Sequence, residues 1–199
     1  TCSGMDERRR LLAHGGARWL RDAVAAVAAG RVRIAIAGGI EKMSDLPRDR
    51  NRLWLGISGD VEWERLAGTN FAGIYAMMAR RHAFEYGTTR EQISLVAVKN
   101  RNNAVANPKA QFRVPLELDR ALKAPNLASP LSISDACGIT DGASMAIVCT
   151  ANEARQFTDM PILVAGSGAG SDYVAVHDRP SMTRLDAAGR AAREAYDMA

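Results

Sequence analysis

The chain has 199 residues, 47% of them hydrophobic and 24% charged, the composition of a globular protein with a core for one domain or a little more. Its net charge of +4 is divided among short clusters (Arg8, Arg9 and Arg10; Arg48, Arg50 and Arg52) with acids interspersed and only 6% aromatics, which argues against a nucleic-acid surface of the basic, stacking kind. No apolar run approaches the ~20 residues of a membrane-spanning helix, no secretory leader is legible, and the expected location is the cytoplasm.

Residues 1–12 are charged and show no period. From Gly15-Gly16 the spacing of Leu20, Ala23, Val24 and Val27 predicts a helix that can pack closely on nearly every side, with Gly30 as its stop. Val32–Ala37 reads as a strand buried on both faces and ended by Gly38-Gly39. Residues 44–68, with Pro47, several arginines, Trp54 and Trp63, read as a loop or excursion. Phe71–Tyr86 predicts a helix with Ile74, Met77, Met78 and Ala79 inward and Arg80, Arg81 and Glu85 outward, ended by Gly87. Thr88-Thr89-Arg90-Glu91-Gln92 resembles a helix start with a threonine cap, and Ile93–Val105 continues that second helix until Asn107-Pro108.

Pro115–Pro130 reads as a connection with short helical pieces. Ala143–Thr150 is a second strand, Asn152–Phe157 a short helix, and Pro161–Ala165 a third strand before Gly166-Ser167-Gly168-Ala169-Gly170. An amphipathic helix follows from about Met182 to Met198. Strands separated by helices define an α/β class. The strands are few for this length, which suggests a large loop subdomain or further sequence outside this chain.

Cys2, Cys137 and Cys149 have no metal-ligand spacing and imply no disulfide framework. Cys149, within Ala146-Ile147-Val148-Cys149, reads as a small core residue. His14, His82 and His177 are far apart, so no metal site is expected.

Residues 37–44, Ala37-Gly38-Gly39-Ile40-Glu41-Lys42-Met43-Ser44, resemble the "GG-x-E-x-M-S" turn of thiolases. Residues 71–113 resemble the subgroup of archaeal acetoacetyl-CoA thiolases and sterol-carrier-linked lipid-transfer thiolases, including its "NP-x-x-QF" ending at Asn107-Pro108 and Gln111-Phe112. Residues 134–146 and 172–179 continue the likeness, which covers about residues 15–199 in the right order. It implies a thiolase-like layered α/β fold: part of an N-terminal domain over 13–155 with a loop subdomain at about 45–130, then the beginning of a C-terminal domain over 156–199, with 1–12 a divergent N-terminus.

The family's reaction is Claisen-type acyl transfer or its reverse, thiolysis, on acyl-CoA and CoA, with no permanently bound cofactor. Its nucleophilic cysteine sits in "C-[AG]-[ST]-G" at the start of the Ala-rich helix, where unpaired N–H groups and the helix dipole favour a thiolate. Read by itself, without the resemblance, an Ala-rich helix with a glycine start indicates close helix packing rather than a nucleophile site. The segment falls on Ala13-His14-Gly15-Gly16, so alanine stands at the nucleophile position. Cys2-Ser3-Gly4 resembles a shortened nucleophile motif but lies well upstream, leaving Cys2 as the remaining nucleophile candidate.

The family's catalytic His and second Cys are expected after Met198. His177-Asp178 aligns upstream of them, where His177 is expected at a helix entry. The resemblance places Cys137 and Gly138 beside the pantetheine chain and Tyr75 in the acyl pocket; Arg101, Lys109 and Arg113 are candidates for phosphate contacts. The expected function is a thiolase-like acyltransferase of the acetyl-CoA acetyltransferase type, incomplete or inactive as this chain alone. Alternatives are a non-catalytic acyl-CoA-binding subunit and a retro-aldol lyase of the lipid-transfer branch, which works without the nucleophilic Cys. Expected partners are acyl-CoA and a second copy or another thiolase-like chain, as a homodimer or larger assembly, with neither nucleic acid nor a membrane span.

Overall fold

A computed structural model describes residues 16–56 and 59–199. They form two compact units: residues 16–45, 140–170 and 186–199, and residues 46–139 and 171–185.

In the first unit, α1 (Gly16–Ala28) is followed by β1 (Ile34–Glu41). Gly30 ends the helix in the left-handed region, at φ 67°. The apolar stripe of α1 turns Ala23 and Val27 into the core, and the helix packs on β1 and on β4 (Gly142–Cys149). Leu20, expected to be inward, is 37% exposed.

β1 pairs antiparallel with β4, from Ile34 opposite Cys149 to Glu41 opposite Gly142. Gly38-Gly39 does not end the strand as expected but continues it. Gly38 is opposite Met145, and a Cβ on Gly38 would come 2.8 Å from Met145 Cγ, so the missing side chain makes room for the methionine. Alternation then decides the faces. Ala35 and Ala37, opposite Val148 and Ala146, share the face on which Ala37 is buried. Ile34, Ile36 and Ile40, with Ile147 and Met145, share the other. Ile36 and Ile147 directly oppose each other and are each 69% exposed. The expected burial of both strand faces is therefore corrected: among the described residues one face is open. Cys149 is half-buried.

After α6 (Ala151–Ala154), residues 161–165 join no sheet, contrary to the third-strand expectation. A Cβ on Gly166, Gly168 or Gly170 would overlap the carbonyl oxygens of Ala195, Ala191 and Ala187 on α7 (Asp186–Met198). Alternate glycines thus lie against a helix that has alanine every fourth residue, and backbone meets backbone. Glu194 joins these parts: it pairs with Arg21 at 3.0 Å and accepts the Ala169 N–H at 2.9 Å. α7 starts at Asp186 rather than near Met182. The Ser181 hydroxyl accepts the N–H groups of Thr183 and Arg184 (3.2 and 3.3 Å), a local turn that competes with helix.

The second unit is mainly helical. The expected loop at 44–68 instead contains α2 (Arg48–Gly56) and a one-turn π-helix, Val61–Arg65, capped where Asp60 accepts the Trp63 N–H at 2.6 Å. Pro47 immediately precedes α2, where a residue without an N–H is tolerated, and its carbonyl accepts the Asn51 N–H at 3.0 Å. α3 (Phe71–Tyr86) has the expected bounds, with Asn70 as its cap and Gly87 in the left-handed region. Its buried residue is Ala76, whereas Met77, expected inward, is exposed. α4 (Arg90–Ala104) begins at the expected threonine cap, through a complete capping box of Thr89 and Gln92.

α5 (Leu118–Leu122), the hairpin of β2 (Asn126–Ala128) and β3 (Leu131–Ser132), and a 3₁₀ turn at Ile133–Asp135 follow. Residues 171–185 complete this unit: Val176 N–H donates to the buried Glu64 at 2.6 Å and the Thr183 hydroxyl to Glu85 at 2.8 Å. His177 is in a turn, 4.0 Å from the Glu64 carboxylate and 3.6 Å from Asp178, and not at a helix entry as expected.

Candidate functional site

The second unit contains an open pocket of about 610 Å³. One wall is α4. The capping box fixes the helix start, so Ile93, Ala97, Arg101 and Ala104, spaced three or four residues apart, line it from one stripe. The facing walls are Ala110-Gln111-Phe112 and the turn from Ser134 to Cys137.

Two sequence stretches singled out by resemblance meet here. A Cβ on Gly138 would be 3.1 Å from Gln111 Nε2 and 3.3 Å from Phe112 Cζ, so the backbone at Gly138 packs closely against the Gln111-Phe112 pair. Cys137, exposed, opens into the same space. The Arg101 guanidinium carbon lies 3.9 Å from the Phe112 ring centroid, a stacked cation–π arrangement that holds a positive charge at an otherwise largely apolar wall. The pocket is therefore largely apolar, with one cation at its wall.

Of the residues singled out in the sequence, Cys137, Gly138 and Arg101 come together. Tyr75 is exposed on α3 and does not line the pocket. Lys109 and Arg113 are exposed on the loop beyond the pocket, with the Lys109 N–H donating to the Asn107 side chain at 3.0 Å. Cys2 and Ala13 lie outside the described residues. Asn100 and Asp135 also line the pocket; Asn100 follows Val96 by about one helical turn, while nothing local indicates Asp135.

In the first unit, the "EKMS" and "DGA" stretches also meet. Asp141 accepts the N–H groups of Met43 (2.7 Å) and Ser44 (2.9 Å) and the Ser44 hydroxyl. Those bonds, the Ser44 hydroxyl first and then the backbone N–H groups, hold its carboxyl below the usual aspartate range. Glu85 is lowered chiefly by Arg81 and Thr183, Glu153 by Arg33, and Glu91 by its own backbone N–H and the Thr89 side chain. Among the described residues no group of His, Cys, Asp and Glu could hold a metal ion, and no helix is long and apolar enough to cross a membrane.

A helix-backed antiparallel strand pair and a mainly helical unit with an open pocket define an α/β protein of the thiolase-like class. The thiolase N-terminal domain family matches residues 12–123, and the chain belongs to the thiolase family. It is 44% identical over 180 residues to the acetyl-CoA acetyltransferase of Methanothermobacter thermautotrophicus, covering 90% of this chain and 46% of that protein. It is 39% identical over 186 residues to the acetyl-CoA acetyltransferase of Methanocaldococcus jannaschii, covering 92% and 47%. A solved structure, an Ltp2-ChsH2(DUF35) aldolase, matches with a TM-score of 0.75 and 26% identity over 92% of this chain and 48% of that one. The chain spans about half the length of the curated relatives it matches.

Proposed function

We propose that this chain contributes the coenzyme A-facing part of a thiolase-type acyl-CoA acyltransferase of the acetyl-CoA acetyltransferase kind. In this reading residues 13–155 are N-terminal-domain sequence with a loop subdomain at about 45–130, and 156–199 begin a second domain. The pantetheine chain runs along the α4 stripe past Cys137 and Gly138, and Arg101 faces the phosphates. Acyl-CoA is a substrate, and no permanently bound cofactor takes part.

The observation that carries the reading is the packing of Gly138 on Gln111-Phe112 beside Cys137 in one open pocket. Calorimetric titration with CoA tests it. Cys137→Trp should weaken binding with little loss of stability, because Cys137 is exposed and its replacement fills the channel rather than the core. Absence of CoA binding by the wild-type chain at millimolar concentration overturns the reading.

A second reading, carbon–carbon cleavage of a β-hydroxyacyl-CoA by retro-aldol chemistry, is favoured by Ala13 at the nucleophile position and by the likeness to an aldolase structure. Without a thiolate there is no acyl-enzyme, and acyl transfer by that route stops. Thiolysis of acetoacetyl-CoA above a no-enzyme control, abolished by Cys2→Ser, would restore the acyltransferase with Cys2 as nucleophile. Cleavage of a β-hydroxyacyl-CoA with no thiolysis would establish the lyase.

The open apolar face of β1 and β4 supports an assembly in which a second copy or another thiolase-like chain covers it, as a dimer or larger.

A further inference from the structure

The wall carrying Cys137 is tied to the opposite wall by a buried ion pair. Arg90, the first residue of α4, places Nη2 2.7 Å from the Ser132 hydroxyl and 2.8 Å from Asp135 Oδ2. The side chains of Arg90 and Asp135 are only 23% and 8% exposed. Asp135 also accepts the Ser132 N–H at 2.7 Å and the Ser132 O–H at 3.0 Å, and Ser132 Oγ accepts the Ser134 N–H at 3.3 Å. The Ser132 hydroxyl, 1% exposed, therefore donates once and accepts twice, its full capacity.

This network winds the 3₁₀ turn Ile133–Asp135 around Ser132 and fastens it to the N-terminus of the helix whose stripe forms the facing wall. Cys137 follows two residues later. As a source of stability the pair is poor: Arg90 Nη1 and Asp135 Oδ1 are buried with no partner among the described residues, and incompletely satisfied buried charges recover little of their desolvation cost. What the pair does provide is a fixed direction and spacing between α4 and the Cys137 turn.

We propose that Arg90 and Asp135 are positioning residues that set where Cys137 and Gly138 stand across the pocket from α4. The functional consequence rests on the reading that a pantetheine chain passes there. Arg90 lies outside the pocket lining and Asp135 forms part of it; both act on Cys137 through the turn.

The test is alkylation of Cys137 by iodoacetamide in the full chain, read by peptide mass spectrometry so that Cys2 and Cys149 are counted separately, with and without CoA. Asp135→Asn and Arg90→Lys should alkylate at Cys137 roughly fivefold faster or more, because a loosened turn frees the already exposed thiol from the pocket wall. Asn70→Ala, which loses the cap of α3, should react at the wild-type rate although it too is destabilised. CoA should slow the reaction in the wild type and much less in Asp135→Asn. If Asp135→Asn does not fold, the milder Arg90→Lys decides. Faster alkylation in the variants with no protection of the wild type by CoA upholds the positioning role and overturns the pantetheine reading. Equal rates and equal protection in wild type and variants overturn the positioning role and leave the pantetheine reading intact.

Discussion

Asp141 closes the turn that follows β1, accepting the Ser44 N–H at 2.9 Å with one carboxylate oxygen and the Ser44 hydroxyl with the other. Its folded pKa lies below its ordinary value. The resulting stabilisation is complete above the unfolded value, about 3.9, and is lost as pH falls through the depressed folded value. Asp141→Asn should therefore lower Tm at neutral pH, with the gap to wild type closing below about pH 4. Glu85, Glu91 and Glu153 are also lowered and give both proteins a common acid loss, so the difference between the two curves is the quantity to read. A gap independent of pH would mean that the charged carboxylate is not what holds the turn.

Gly168 has no room for a side chain: a Cβ there overlaps the Ala191 carbonyl oxygen, whereas one on Gly142 meets nothing within 4 Å. Gly168→Ala should push the segment off α7 and cost about 1–3 kcal/mol or more, the usual range for overpacking. Gly142→Ala should stay within about 0.5 kcal/mol of wild type, as for a surface substitution. Urea midpoints measure both, and equal midpoints for the two variants would refute the close backbone approach.

The three candidate phosphate ligands separate by position. Arg101 lines the pocket, stacked on Phe112, while Lys109 and Arg113 do not line it. Arg101→Ala should weaken CoA binding roughly tenfold, the equivalent of one charge-assisted hydrogen bond. Lys109→Ala and Arg113→Ala should each stay within about twofold by titration calorimetry, since exposed charges contribute little. A larger effect at Lys109 or Arg113 than at Arg101 would move the phosphate site out of the pocket.

Ile36 and Ile147 face each other on the open side of the strand pair. Covering each such side chain is worth roughly 1.5–3 kcal/mol, against a total stability of about 5–15 kcal/mol for a domain. Light scattering should find the wild-type chain in an assembly larger than 21.4 kDa. Ile36→Glu, which places a charge in the centre of that face, should shift it toward the monomer. A cooperatively unfolding wild-type monomer would show that this face needs no cover.

Local chemistry alone was enough to read much of the helical framework. Gly87, Thr89 and Gln92 mark their helix ends because cap hydrogen bonds and left-handed glycine are properties of a few adjacent residues. Motif resemblance likewise identified the family and singled out Cys137 and Gly138. It could not say that Arg101 would join them and that Tyr75, Lys109 and Arg113 would not line the pocket, because that depends on which side of α4 and its following loop turns inward. The glycines show the same limit. In sequence Gly38 reads as a strand end and Gly166–Gly170 as a loop, yet Gly38 continues a strand to admit Met145, and the later three bring a backbone against α7. A glycine specifies only that no side chain is present. The neighbour that uses the space is supplied by distant parts of the chain, as are the partners of Asp135 and Asp141, and only the tertiary structure decides which they are.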